Sequence, residues 1–285
     1  MNKKYFLWVQ LVVILLSALM LTSCNRLKTT SQRVVDLNTQ AREKGFSSYR
    51  MDTGKFVLQS FARDVSSRDV VDVYIEGDGL AWKRKKRLSN DPTPLDSLPF
   101  QLAMLSPHPT IYLARPCQYQ TETELGDCHA KYWSSHRYAE EVVQSLSTVL
   151  NRYQEKNDIQ KFRLIGYSGG GSLAVLLAAA RDDVAAVMTI AANLDHDSWT
   201  EFHRVSPLTG SLNAYDVAAD IASIPQWHFV GSKDKIIPLS ITQRFIRKSG
   251  SKANIFLKVI DDFDHRCCWQ KKWPEILSEV DRFSR

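Results

Sequence analysis

A strand that gives way to a helix within three residues needs backbone nearly bare of side chains. Residues 162–180, FRLIGYSGGGSLAVLLAAA, supply it: an apolar run, four glycines around one serine, then an unbroken pattern of small and apolar residues. The rest of the chain repeats that alternation. Short apolar runs at residues 56–61, 70–75, 110–114, 162–165, 185–192, 226–230 and 255–260 read as strands. Helical patterns cover residues 94–105, 135–154, 169–180 and 273–283, with one more between the last two strands. This order predicts an α/β chain with a mostly parallel central sheet and helices on both faces.

The first residues describe an address and not a fold. Asn2, Lys3 and Lys4 form a short cationic stretch ahead of a mostly apolar run at residues 5–20. That run is short for a membrane span of ~20 residues and suits the core of a signal peptide. Leu21-Thr22-Ser23-Cys24 then resembles the bacterial lipobox, which implies cleavage before Cys24 and acylation of that residue. The same stretch also admits an uncleaved anchor or an ordinary secretory signal. The expected layout is a lipoprotein signal peptide at residues 1–23, a polar tether at 24–50 and one α/β domain at 51–285. Several acyl chains hold a protein stably at a bilayer, where one is marginal. Asn25, where an aspartate would retain the protein at the inner membrane of enteric bacteria, points to an outer-membrane protein facing the periplasm.

Residues 24–285 suffice for one large α/β domain and are too few for two of average size with linkers. The formal net charge of +6 falls to about +4 without Lys3 and Lys4, a balance that does not indicate nucleic acid. Basic residues concentrate at 83–87, KRKKR, which reads as a solvated loop or a contact to anionic lipid headgroups. No aromatic residues interleave with them as a strand-binding groove would require. With Cys24 acylated, Cys117, Cys128, Cys267 and Cys268 remain, an even number in a disulfide-permissive compartment. Cys117 and Cys128 bracket a polar, turn-rich stretch, so a local bridge is expected there. The adjacent Cys267 and Cys268 are either two buried thiols or a vicinal disulfide.

Gly166-Tyr167-Ser168-Gly169-Gly170 satisfies G-x-S-x-G, in which a tight turn holds the serine on a strained elbow at the end of a strand. The motif alone is weak. It gains weight because an acid and a histidine come after the serine, in that order, each at a later strand end. Asp234 lies just past the strand at 226–230, and His265 just past the strand at 255–260. A serine hydroxyl needs a base to take its proton, and an imidazole needs a carboxylate to fix its tautomer. Neither of the common phosphate-binding glycine patterns fits these residues.

With these residues in order, the chain resembles the α/β-hydrolase superfamily over nearly all of its mature length. The runs YIEGDGLAW, YLARPCQY, NLDHDSW, VSPLTGSLN and DHRCCW also resemble a group of exported bacterial lipoprotein hydrolases. The resemblance implies esterase-type chemistry by an acyl-enzyme, with Ser168 as nucleophile, His265 as general base and acid, and Asp234 as its orienting carboxylate. It implies an oxyanion hole built from the N–H of Gly169 and a donor from the loop after the strand at 70–75, Asp78 in preference to Gly77. That loop departs from the H-G-G-G of some lipases, since Glu76 stands for the histidine and Asp78 for a glycine. The implied substrate is a small-molecule or lipid ester, with no cofactor and no metal.

Rival assignments remain in the sequence. Asp195 follows the strand at 185–192 and is a second candidate for the acid. His196 and His203 are expected to line or brace a loop at 193–215 that overhangs the serine as a partial lid. Asp261, Asp262, Asp264, His265 and the two adjacent cysteines are too tightly spaced for an ordinary zinc site. His108, His129, His136 and His228 read as structural or surface residues. An acyltransferase or thioesterase on the same fold, and a catalytically silent envelope binding protein, are the competing functional classes.

Overall fold

A computed structural model describes residues 28–84, 87–120, 124 and 126–283. The proposed signal sequence and Cys24 lie outside the described residues. In chain order the elements are α1 (Thr30–Glu43), β1 (Ser47–Asp52), β2 (Val57–Arg63), β3 (Val70–Ile75), β4 (Trp82–Arg84), β5 (Arg87–Leu88), α2 (Leu98–Leu105) and β6 (Thr110–Leu113). A short 3-10 turn (Ala130–Trp133) leads to α3 (Glu140–Asn157), β7 (Lys161–Tyr167), α4 (Gly169–Ala180), β8 (Val184–Ile190) and α5 (His196–His203). The chain closes with β9 (Gln226–Gly231), α6 (Leu239–Ser249), β10 (Ile255–Ile260) and α7 (Trp269–Phe283).

Eight strands form one sheet in the order β1-β2-β6-β3-β7-β8-β9-β10, and β4 and β5 pair separately as a hairpin. The strands β6, β3, β7, β8, β9 and β10 run parallel, while β1 and β2 are antiparallel to their neighbours. Alternate residues along a strand face opposite sides, and the two cores divide accordingly. Val71, Val73, Ile75, Phe162 and Leu164 pack toward α3 and α4. Tyr74, Tyr112 and Ile165 pack toward α1, α2 and α7. Both faces of the inner strands are therefore covered, as parallel strands require, while the edge strand β10 leaves Phe256, Leu257 and Val259 exposed.

Across the buried centre Arg163 on β7 donates from Nε and Nη2 to both carboxylate oxygens of Asp72 on β3, at 2.7 and 2.8 Å. Its Nη1 reaches Asp281 on α7 at 2.8 Å, and His108 meets the other Asp281 oxygen at 2.8 Å. The group ties the closing helix to the middle of the sheet.

The expected tether is corrected over part of its length. Residues 30–43 form a helix and residues 47–52 the edge strand β1, so the ordered domain begins well before residue 51. Both elements carry weak apolar periodicity because only a few residues of each are covered: Leu37 and Ala41 on α1, and alternate positions of an otherwise exposed β1. Polar contacts hold α1 instead. Thr29 and Gln32 form a capping box, and Arg33 binds Asp91 at 2.6 Å and the Thr93 carbonyl. Other boundaries shift for local reasons. The second helix starts at Leu98 because Ser97 caps it, accepting from Phe100 N at 3.1 Å, and α7 starts at Trp269 because Trp269 and Trp273 share its buried face.

Cys117 and Cys128 are joined by a disulfide, with 5.4 Å between their Cα atoms. Cys267 and Cys268 form a vicinal disulfide, and Cys267 is exposed, which removes the alternative of two buried thiols. Within the basic run, Lys83, Arg84 and Arg87 belong to the β4–β5 hairpin, while Lys85 and Lys86 lie outside the described residues. Among the described residues no helix is long and apolar enough to cross a membrane.

Candidate active site

The elbow between β7 and α4 is built from close backbone approaches. A Cβ on Gly166 would stand 2.2 Å from the Gly170 carbonyl oxygen, and one on Gly170 would stand 2.3 Å from the Ile75 carbonyl oxygen at the end of β3. Neither backbone atom can yield, so both positions require glycine. Gly171, outside the motif, has a packing role: its Cβ would meet that of Ala192 at 2.3 Å, where α4 presses on the end of β8. Between these contacts Ser168 sits at φ 52° and ψ −121°, a conformation that non-glycine residues adopt rarely and at a cost of ~1–3 kcal/mol. Its N–H donates to the Ile190 carbonyl at 2.9 Å, and its own carbonyl accepts from Gly171 and Asn193. The strain is thereby held from both sides.

Three loops from different strand ends meet at this serine. His265 Nε2 lies 3.1 Å from Ser168 Oγ, and His265 Nδ1 lies 2.9 Å from Asp234 Oδ2. The other Asp234 oxygen accepts from the N–H groups of Ile236 and Ile237 at 2.8 and 2.9 Å. With its side chain fully buried, the Asp234 carboxylate has a fixed orientation. The His265 carbonyl accepts from Tyr167 Oη at 3.0 Å, which anchors the histidine loop to the motif. A hydroxyl bonded to one imidazole nitrogen, with a carboxylate on the other, can be deprotonated as it attacks.

The loop after β3 lies against the serine, with the Cβ position of Gly77 3.5 Å from Ser168 Cβ. Its two candidate donors differ. The Gly77 N–H is taken by Glu76 Oε1 at 2.9 Å, and the Gly77 carbonyl by Gln118. The Asp78 N–H has no hydrogen bond among the described residues. Asp78 is gripped by its side chain: Arg115 Nη1 donates to Oδ1, and Arg137 Nη1 donates to Oδ2 at 2.6 Å. Burial alone would raise the Asp78 pKa, but the guanidinium groups of Arg137 and Arg115 outweigh it and bring it down to about 2. Glu76, two residues earlier and buried, is pushed upward by burial although Ser97, Tyr112 and Gly77 all donate to it. Arg115 lies in the run YLARPCQY with no role assigned to it there and Arg137 in no motif, and their spatial convergence on Asp78 marks them.

Asp195 does not reach His265. It caps α5, accepting from Ser198 N at 3.1 Å and Ser198 Oγ at 2.8 Å, and it pairs with Arg244 at 2.8 Å. The loop at 193–215 contains α5, whose Trp199 and His203 both bond to the Ile236 carbonyl, two residues past Asp234. His196, the first residue of that helix, is buried. His228 lies in the core between Thr189 and Gln226, where burial takes its pKa down to about 3. Asp262 pairs with Lys233, and Asp264 caps the N–H groups of Arg266 and Cys267. Among the described residues no group of three or more His, Cys, Asp or Glu is placed to hold a metal ion.

The two carboxylates that compete for the role of acid should respond differently to substitution. Asp234→Asn should lower turnover by roughly 10³- to 10⁴-fold, whereas Asp195→Ala, which removes the cap of α5, should act mainly on that helix, costing about 1 kcal/mol of stability; kinetics and urea unfolding of both variants distinguish the roles. For Asp78 the folded pKa, about 2, lies below the ordinary 3.8. Its contribution to stability is therefore present above about pH 4 and lost as pH falls toward 2. The destabilisation caused by Asp78→Asn, measured by urea unfolding, should be smaller at pH 3 than at pH 7 by about 1 kcal/mol.

No family model and no curated protein sequence matches this chain. Solved structures do match. The esterase Pf2001 of Pyrococcus furiosus aligns over 84% of this chain and 90% of its own with TM-score 0.61 and 12% identity. A 2,6-dihydroxy-pseudo-oxynicotine hydrolase aligns over 90% of this chain and 72% of its own with TM-score 0.61 and 17% identity. Est1E of Butyrivibrio proteoclasticus aligns over 83% of this chain and 98% of its own with TM-score 0.58 and 12% identity. Sheet order, elbow and chain-long structural likeness together give this chain the α/β-hydrolase fold.

Proposed function

We propose that the protein is a serine hydrolase that cleaves a carboxylic ester through an acyl-enzyme, acting at the bacterial cell envelope. The observation that carries this reading is the bridge made by His265, 3.1 Å from Ser168 and 2.9 Å from Asp234. In the first step Ser168 Oγ bonds to the acyl carbon as its proton passes to His265 Nε2, and the carbonyl electron pair moves onto oxygen. Asp234 holds the imidazole in the tautomer that accepts this proton and stabilises the charged ring. The N–H of Gly169, first in α4 and without an intrahelical partner, and the N–H of Asp78 receive the oxyanion. Collapse of the intermediate expels the alcohol, which takes the proton from His265, and water repeats the sequence to release the acid and free Ser168.

The esterase and hydrolase structures that share the fold support the reaction class. The lipobox-like Leu21-Thr22-Ser23-Cys24 supports an acylated anchor at Cys24 and, with Asn25, an outer-membrane position facing the periplasm. The substrate is then a small-molecule or lipid ester met at the membrane surface.

A fluorophosphonate probe should label the wild-type protein and leave Ser168→Ala unlabelled; equal labelling of both would remove Ser168 as nucleophile. Esters graded in acyl length, with and without an added alcohol acceptor, separate hydrolysis from acyl transfer by whether free acid or a new ester accumulates. Cys24→Ser should release the protein from washed membranes into the soluble fraction, and retention in the membrane pellet would refute the lipid anchor.

A further inference from the structure

The basic hairpin takes no part in the proposed chemistry, yet it leaves the sheet where that chemistry is assembled. β4 and β5 follow the carboxyl end of β3, the edge at which Ser168, Asp234 and His265 meet. The base of the hairpin is pinned there. Leu80 N donates to the Pro92 carbonyl at 2.9 Å, Ser89 N to the Ala81 carbonyl at 2.9 Å, and Trp133 Nε1 to the Ser89 carbonyl at 3.0 Å. Between Asp78 and Asp91 the sequence carries five cations and no carboxylate. Lys83 and Arg87 are exposed, and neither enters an ion pair among the described residues. Next to Lys83, Trp82 is 44% exposed. A hairpin kept only for solubility needs the cations and not the indole, whereas a tryptophan beside cations suits the boundary between lipid headgroups and water.

Two further features share this edge. The ordered chain enters here: Thr30 Oγ1 donates to the carboxylate of Asp91, three residues past the end of β5, and Arg33 Nη2 reaches the same carboxylate at 2.6 Å. Only residues 25–28 separate this entry from Cys24 on one side and the cap Thr29 on the other. The second feature is an apolar lip. Phe202, Val205 and Ile236 are 58%, 45% and 48% exposed. They form one patch, since the Ile236 carbonyl accepts from Trp199 and His203, and the rings of Phe202 and His203 lie 4.9 Å apart. The exposed cations Arg204 and Lys235 adjoin it in the chain. Because α5 follows β8 and Ile236 follows β9, the lip also stands at the carboxyl edge of the sheet.

We infer that this edge is a docking surface for a bilayer that contains anionic phospholipid, with Lys83, Arg87 and Trp82 at the headgroups and Phe202, Val205 and Ile236 at the acyl boundary. Its orientation rests on the lipid anchor proposed at Cys24. An acylated cysteine so close to the start of α1 brings the carboxyl edge, and not the opposite one, to the lipid. Cations add attraction to anionic headgroups, and the lip adds buried apolar area, the two contributions that hold a protein on a membrane surface. The mouth of the site then faces the bilayer.

The test uses the full chain carrying Cys24→Ser, which cannot be acylated, so that sedimentation with vesicles reads the affinity of the surface itself. This parent should bind vesicles of equal parts phosphatidylglycerol and phosphatidylcholine more tightly than phosphatidylcholine alone, and salt should weaken the difference. Adding Lys83→Gln and Arg87→Gln together should weaken binding to the anionic vesicles by about 25-fold, roughly fivefold for each cation. Adding Phe202→Ser should weaken it by about tenfold. Lys44→Gln with Lys161→Gln removes the same charge from the amino edge of the sheet and should leave binding unchanged. Equal weakening by the two lysine and arginine pairs would overturn the inference, as would parent-like binding in the hairpin pair or in Phe202→Ser, or no binding of the parent to anionic vesicles. Absence of acyl groups on Cys24 of the wild-type protein, read by mass spectrometry, would instead strike the anchor, and the vesicle comparison would still decide the surface.

Discussion

Everything near Ser168 depends on how closely α4 lies against the end of β3. A helix normally keeps its neighbours at side-chain distance, yet here the backbone of Gly170 meets the Ile75 and Glu76 carbonyl oxygens with no room for a methyl group. That contact draws the first turn of α4 and the loop after β3 together, so their backbone donors can face one small volume. It also forces Ser168 into a backbone conformation that it would not adopt in an open turn. The strain and the pairing of donors have one cause, which is the absence of three side chains at Gly166, Gly170 and Gly171.

Charge keeps the second half of this arrangement in place. On the serine-hydrolase reading, Asp78 would be a liability beside a developing oxyanion, since a free carboxylate there opposes the charge to be stabilised. Two buried arginines occupy its oxygens, leaving the local balance positive. Removing one partner from such a group is costly because the others remain buried without compensation. Glu76 serves the same loop differently, collecting donors from Ser97, Tyr112 and Gly77 beneath the surface. It thereby occupies the Gly77 N–H, whereas that of Asp78 has no hydrogen bond among the described residues.

The inner parallel strands were legible in the sequence because they are buried on both faces and carry nearly continuous apolar runs, and β3 matches its expected limits at residues 70–75; the edge strand β10 matches at 255–260 from its apolar run although most of that run is exposed. The order Ser168, Asp234, His265 was legible for a related reason, each residue following a recognisable strand end. What stayed hidden was held by polar contacts with no period. Helix α1 depends on a capping box and the Arg33 bonds, and β1 is an exposed edge with one partner strand. Arg115 and Arg137 were invisible at the site for another reason. In sequence Arg115 reads as a cation just past a strand and Arg137 as one ahead of a helix, and only the fold sets both against Asp78.

The capped start of α1 also bears on where the domain sits. With ordered structure beginning only at residue 51, an acylated Cys24 would hold the protein on a leash that, fully extended, spans about 90 Å. Because Thr29 caps a helix that Arg33 fixes to the body of the domain, only the few residues between Cys24 and Thr29 can act as leash, and their full extension is about 17 Å. On the lipid-anchored reading the domain rides at the bilayer surface and does not range through the periplasm. The esters within its reach are then those that lie in the membrane or come to it.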